Sequence, residues 1–162
     1  MKRMFAVCLT TALLQAAPLA LFAATPAASP LAGRWAIDVA TLPMPAGDRP
    51  KSVLLEFKDA GAGRWTTRAE IVDPKGRKMT ADSTLPLDGT PGPIAGNYGA
   101  DVASLSMPAP NVLVMQLVDH GTPASTRIYT VAGDGNRMTE SKAFFSKDGK
   151  PILMTIHFTR VP

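Results

Sequence analysis

The sequence predicts an all-β fold: an up-and-down antiparallel barrel of about nine strands, with a β-sandwich as the alternative. Three observations lead there. Short glycine-bearing turns recur, sharpest at Asp73-Pro74-Lys75-Gly76, Gly133-Asp134-Gly135-Asn136 and Lys147-Asp148-Gly149-Lys150. Asx-Gly pairs supply the positive φ angles that tight hairpin loops demand. Between the turns, apolar and polar side chains alternate with the two-residue period of a half-buried strand. No run carries the helical period far enough to compete, so consecutive hairpins are the expected connection.

Taken in order, the first strand is expected over Arg34–Val39, with Trp35, Ile37 and Val39 on one face. Pro43, Pro45 and Pro50 make the next connection irregular. Ser52–Lys58 follows with Val53, Leu55 and Phe57 inward, then Arg64–Val72 with Trp65, Thr67, Ala69 and Ile71 on a shared face. In Lys78–Leu85 the corresponding face carries Met79, Ala81, Ser83 and Leu85. Asp88 to Gly99 contains four glycines and two prolines, which mark it as a long loop. Ala100–Met107 and Val112–Val118 come next, the latter apolar on both faces and so expected to be covered on both sides. Ser125–Ala132, Met138–Phe145 and Ile152–Arg160 complete the series. Closing so many hairpins into a barrel removes exposed strand edges.

The N-terminus reads as an export signal over residues 1–24. Lys2 and Arg3 precede an apolar run that Gln15 and Pro18 break, and small residues at Ala23 and Ala24 suit cleavage. An uncleaved anchor is the alternative, which the Gln, the Pro and the small residues oppose. Cys8 lies too early to mark a lipoprotein. Residues 25–31 read as a flexible Ala/Pro tether, and 32–162 as a single domain. Lys2 and Arg3 are two of the 17 basic residues, against 13 acidic ones, so processing would lower the formal charge from +4 to +2. That balance, without clustering, argues against nucleic acid as a partner. Cys8 is the sole cysteine, so the processed chain would rest on its apolar core alone. The expected location is periplasmic or secreted, with no integral membrane segment after processing; oligomeric state stays open.

Gly33-Arg34-Trp35, opening the first strand, resembles the Gly-x-Trp motif of the lipocalin and calycin barrels. In that superfamily the Trp closes one end of the barrel and a basic residue late in the last strand packs across its ring. Arg160 occupies such a place here, in phase with the inward Ile152, Met154, Ile156 and Phe158. A guanidinium stacked on an indole is a favourable contact. The chain departs from the family in ending soon after Arg160, without the helix lipocalins usually carry. It also lacks a recognisable second motif and the family disulfides. The resemblance implies transport or sequestration of small apolar molecules.

Chemistry is harder to find. His120 and His157 read as exposed and lack ligating neighbours, so neither a metal site nor a cofactor is expected. No nucleophile elbow, Ser-x-x-Lys pair or phosphate loop is present. Glu70, Asp82 and Glu140 fall on faces read as solvated or ambiguous, and Arg127 with Tyr129 reads as a cross-strand surface pair, polar anchors in a cavity being the alternative. No enzyme activity is therefore expected. Small inward residues hint at a pocket instead. Its candidate lining is Phe57, Trp65, Thr67, Ala69, Ala81, Ser83 and Met154, unless Phe144, Phe158 and Met154 fill the space from the opposite wall. The expected function is binding of a small, largely apolar molecule. The alternative is a solid barrel that engages an envelope protein or polymer by its surface.

Overall fold

The computed structural model describes residues 28–162, so the expected signal segment and residues 25–27 of the tether lie outside the described residues. Eleven strands form one antiparallel sheet: β1 (Gly33–Ile37), β2 (Ser52–Gly61), β3 (Arg64–Val72), β4 (Lys78–Pro86), β5 (Gly92–Pro93), β6 (Ala95–Gly96), β7 (Val102–Ala109), β8 (Val112–Asp119), β9 (Thr122–Val131), β10 (Arg137–Phe145) and β11 (Pro151–Val161). The nine long strands correspond in position to the nine read from the sequence. The other two are the short pairs Gly92–Pro93 and Ala95–Gly96, inside the stretch expected to be a loop. The first strand also stops early. Asp38 turns outward to accept a hydrogen bond from the Ala40 amide, which starts a 3-10 turn at Val39.

The strand order is β5-β7-β8-β9-β10-β11-β1-β2-β3-β4-β6, a nearly closed up-and-down barrel. On one side the first and last long strands pair, placing Trp35 opposite Arg160. On the other side β4 and β7 are joined through the segment between them. β6 pairs with β4, β5 pairs with β7, and Asp88 bridges to Ser106. Gly96 permits this join. Its φ of +128° and the nearness of the Thr80 carbonyl leave no room for a Cβ.

One end of the barrel is solid. Leu31, Trp35, Phe57, Leu113, Tyr129, Val131, Met138 and Phe158 are buried together there. Each such side chain stabilises the fold by roughly 1.5–3 kcal/mol on burial. Tyr129 meets Phe57 and Phe158 edge-on, at centroid distances of 5.2 and 6.5 Å. The Trp35 indole Nε1 donates to the Leu31 carbonyl at 2.9 Å. Leu31 therefore belongs to the core and not to the flexible tether, because its fully buried side chain and carbonyl are both engaged.

Arg160 seals this end. Its guanidinium carbon lies 4.2 Å from the Trp35 ring centre. It donates from Nε to the Gly135 carbonyl at 2.7 Å, from Nη1 to Ala32 at 2.8 Å, and from Nη2 to Pro30. Three carbonyls that the turn and the entering chain would otherwise leave open are thus satisfied by one side chain. Among the described residues no helix is long and apolar enough to cross a membrane.

Candidate functional site

The interior widens away from the sealed end, and β9 and β10 determine what faces it. Inward positions of β9 hold Ser125, Arg127, Tyr129 and Val131; those of β10 hold Met138, Glu140, Lys142 and Phe144. Their register sets Glu140 opposite Tyr129 and Lys142 opposite Arg127. On the far side of β10, Ile156 and Met154 of β11 flank Glu140 and Lys142. Two cations and one carboxylate are therefore enclosed by apolar walls.

This overturns two sequence readings. Arg127 and Tyr129 do not form a surface pair: Tyr129 is fully buried and the Arg127 side chain is mostly so. Glu140 is not solvated either, being 3% exposed. Ile128, between Arg127 and Tyr129 on the same strand, faces outward instead. Glu70 and Asp82 do lie on the outer surface, tied to Arg68 at 2.8 and 3.0 Å. His120 and His157 are exposed as read. Among the described residues no group of three His, Cys, Asp or Glu side chains could hold a metal.

The charged row lines a cavity of about 340 Å³ that opens at the unsealed end. Ile37, Val53, Leu55, Ile71, Met154 and Ile156 supply its apolar walls. The connection between β1 and β2 forms part of its rim through Leu42, Pro43 and Met44. A smaller space of about 50 Å³ lies deeper, and the two share Leu55, Ala69, Tyr98 and Arg127.

The residues singled out from sequence divide between these spaces. Phe57, Thr67, Ala69, Ala81 and Ser83 line the smaller one, while Ala69 and Met154 line the larger. Trp65 lines neither; it is buried in the core, since the β2–β3 turn that precedes it sits at the sealed end. Thr67 and Ser83 share a hydrogen bond of 2.8 Å across β3 and β4, so each hydroxyl already has a partner. Phe158 walls part of the larger space without filling it. The charged interior row Arg127, Glu140 and Lys142 is thus on β9 and β10, not on the wall expected from the sequence.

Electrostatics sharpen the picture. Burial pushes the Glu140 carboxyl above its ordinary range, opposed in part by Arg127 and Lys142. Burial, then repulsion from Arg127, pulls the Lys142 ammonium below its ordinary range, with Glu140 opposing. For Arg127 burial acts downward, but Tyr129 and Glu140 together outweigh it and its pKa is raised. Burial, then the Glu140 charge, holds the Tyr129 phenol well above its usual value. Arg127 Nη1 approaches Glu140 Oε1 at 3.5 Å, an ion pair too long to be a good hydrogen bond. The Lys142 ammonium also rests 4.7 Å from the centre of the Phe144 ring.

Comparison with protein-family models, curated proteins and solved structures finds no match to this chain. Its site must speak through its own geometry. Between its apolar walls the cavity sets the cations Arg127 and Lys142 beside Glu140, while Asp48 and the Arg77-paired Asp73 also contribute to its lining.

Proposed function

We propose that the protein is an exported, non-catalytic β-barrel that binds a small, largely apolar molecule bearing one acidic group. The observation that carries this reading is Arg127 set directly opposite Lys142 inside the barrel, with Glu140 as their one nearby counter-charge. Like charges facing each other across strands are unfavourable, and an acidic group between them would relieve that. Export, to the periplasm or beyond, rests on the N-terminal signal pattern. Lipocalin-like ancestry is supported by the Trp35–Arg160 stack and by Gly33, where a Cβ would collide with the Arg160 guanidinium.

Titration of the processed domain with a fluorescent fatty-acid probe tests the proposal. One saturable site is expected, displaced by decanoic acid and much less by decanol. Ala69→Trp, at the junction of the two spaces, should weaken the probe by roughly tenfold or more. Fluorescence that never saturates and ignores the substitution would remove the pocket reading.

Acid–base chemistry on the bound molecule is a second reading, favoured by the opposed displacement of Glu140 and Lys142 toward neutrality. Recovery of decanoic acid unchanged after long incubation supports the carrier. The surface-interaction alternative has in its favour Phe145 and Leu153, which are 69% and 77% exposed. The open interior does not support the solid core that it supposed.

A further inference from the structure

Building on the carrier reading, we infer that the bound molecule carries a hydroxyl close to its acidic group, and that this hydroxyl donates to Glu140. Among the described residues, Glu140 Oε1 is a buried side-chain oxygen with no hydrogen-bond partner. Glu140 as a whole is 3% exposed and lines the larger cavity. Buried polar atoms are almost always paired, and an ionised carboxylate can only accept, so the missing partner is a donor. Neither the neighbouring cations nor the Tyr129 hydroxyl, set opposite Glu140 on β9, supplies it. Arg127 Nη1 stops at 3.5 Å, and the Lys142 ammonium rests over the Phe144 ring.

A plain fatty acid would meet Arg127 and Lys142 but would bring a second negative charge up to Glu140. A hydroxyl beside the acid removes that conflict by standing between the two carboxylates. The 3.5 Å separation of Arg127 Nη1 from Glu140 Oε1 requires donor and acid to lie within a few bonds of each other. That places the hydroxyl on the second or third carbon. An ammonium could also donate, but it would leave the enclosed cations of Arg127 and Lys142 in excess, whereas a hydroxyl leaves the ligand a monoanion. The ligand class is therefore a 2- or 3-hydroxy acid with an apolar tail.

Calorimetric titration with decanoic, 2-hydroxydecanoic and 3-hydroxydecanoic acids tests this in the wild type, Glu140→Gln and Glu140→Ala. One hydroxy acid should bind the wild type roughly tenfold more tightly than decanoic acid, the size expected of a hydrogen bond to a charged group. In Glu140→Ala that advantage should fall to about threefold or less, while decanoic acid itself binds more tightly because a negative charge has gone. Glu140→Gln preserves shape and provides the comparison if the alanine variant fails to fold. It should show an intermediate advantage, since its amide oxygen still accepts. Equal wild-type affinities for all three acids, or an advantage that survives in both variants, would overturn the inference and leave the carrier reading intact. Binding of none of the three would overturn both.

Discussion

Lys142→Met should make the empty barrel more stable and the binding site worse. The charges of Arg127 and Lys142 face each other across β9 and β10. For two unit charges several ångströms apart at an effective permittivity of about 20, the repulsion is on the order of 2 kcal/mol. Burial disfavours the ammonium further, and its lowered pKa has burial as its largest cause. Two contacts act the other way: attraction to Glu140, and the ring of Phe144 at 4.7 Å, the latter contributing about 0.5–1 kcal/mol. The balance leaves the charge destabilising by about 1 kcal/mol, and methionine keeps the apolar stem. Thermal unfolding of the ligand-free protein should therefore shift up by about 3–5 °C. Decanoic acid should bind roughly tenfold more weakly, because one of its two cationic partners is gone. Lys147→Met, in the exposed hairpin turn, is the control and should change neither quantity by more than about 0.5 kcal/mol. A lower melting temperature together with unchanged affinity would refute the reasoning.

Other perturbations probe the frame and the titrating groups. Arg160→Ala removes the stack on Trp35 and three hydrogen bonds, and should cost about 3–4 kcal/mol in denaturant unfolding; a loss below about 1 kcal/mol would contradict the sealing role. Gly96→Ala drives a Cβ into the Thr80 carbonyl. Amide exchange at residues 80–82 should then quicken while β8 and β9 stay protected, and unchanged exchange would show that the β4–β6 join does not depend on Gly96. Glu140 has a raised carboxyl pKa, with burial as the main cause, so the folded chain takes up this proton at higher pH than the unfolded chain. Between the ordinary value of 4.5 and the raised one the folded state binds more protons, so this group's contribution to stability falls as pH rises through that window. Wild type should accordingly lose stability relative to Glu140→Gln above pH 4.5, and a pH-independent difference would count against the buried charge.

The sheet was legible because its long strands obey one rule. Met79, Ala81, Ser83 and Leu85 alternate with polar neighbours, and turns such as Gly133-Asp134-Gly135-Asn136 have a local chemical cause. The short strands Gly92–Pro93 and Ala95–Gly96 obey no such rule; two residues cannot alternate, and their pairing depends on edges brought together from far along the chain. The site was hidden for a related reason. Alternation equates polar with outward, but here Arg127, Glu140 and Lys142 lie inside while Ile128 lies outside. One signal was available: Met138, Glu140, Lys142 and Phe144 share a strand face, with apolar residues at both ends and charges between. Leu31 was hidden by the Ala/Pro composition around it, which says nothing about a docked segment.

The most direct test of a ligand acid lying beside the interior cations is the titration of Lys142 itself, followed by NMR at its side-chain carbon next to nitrogen. In the free protein its pKa should lie below the ordinary lysine value of 10.5. With saturating decanoic acid it should rise, because the carboxylate favours the charged ammonium. An identical titration with and without the acid would place the ligand elsewhere and contradict the account.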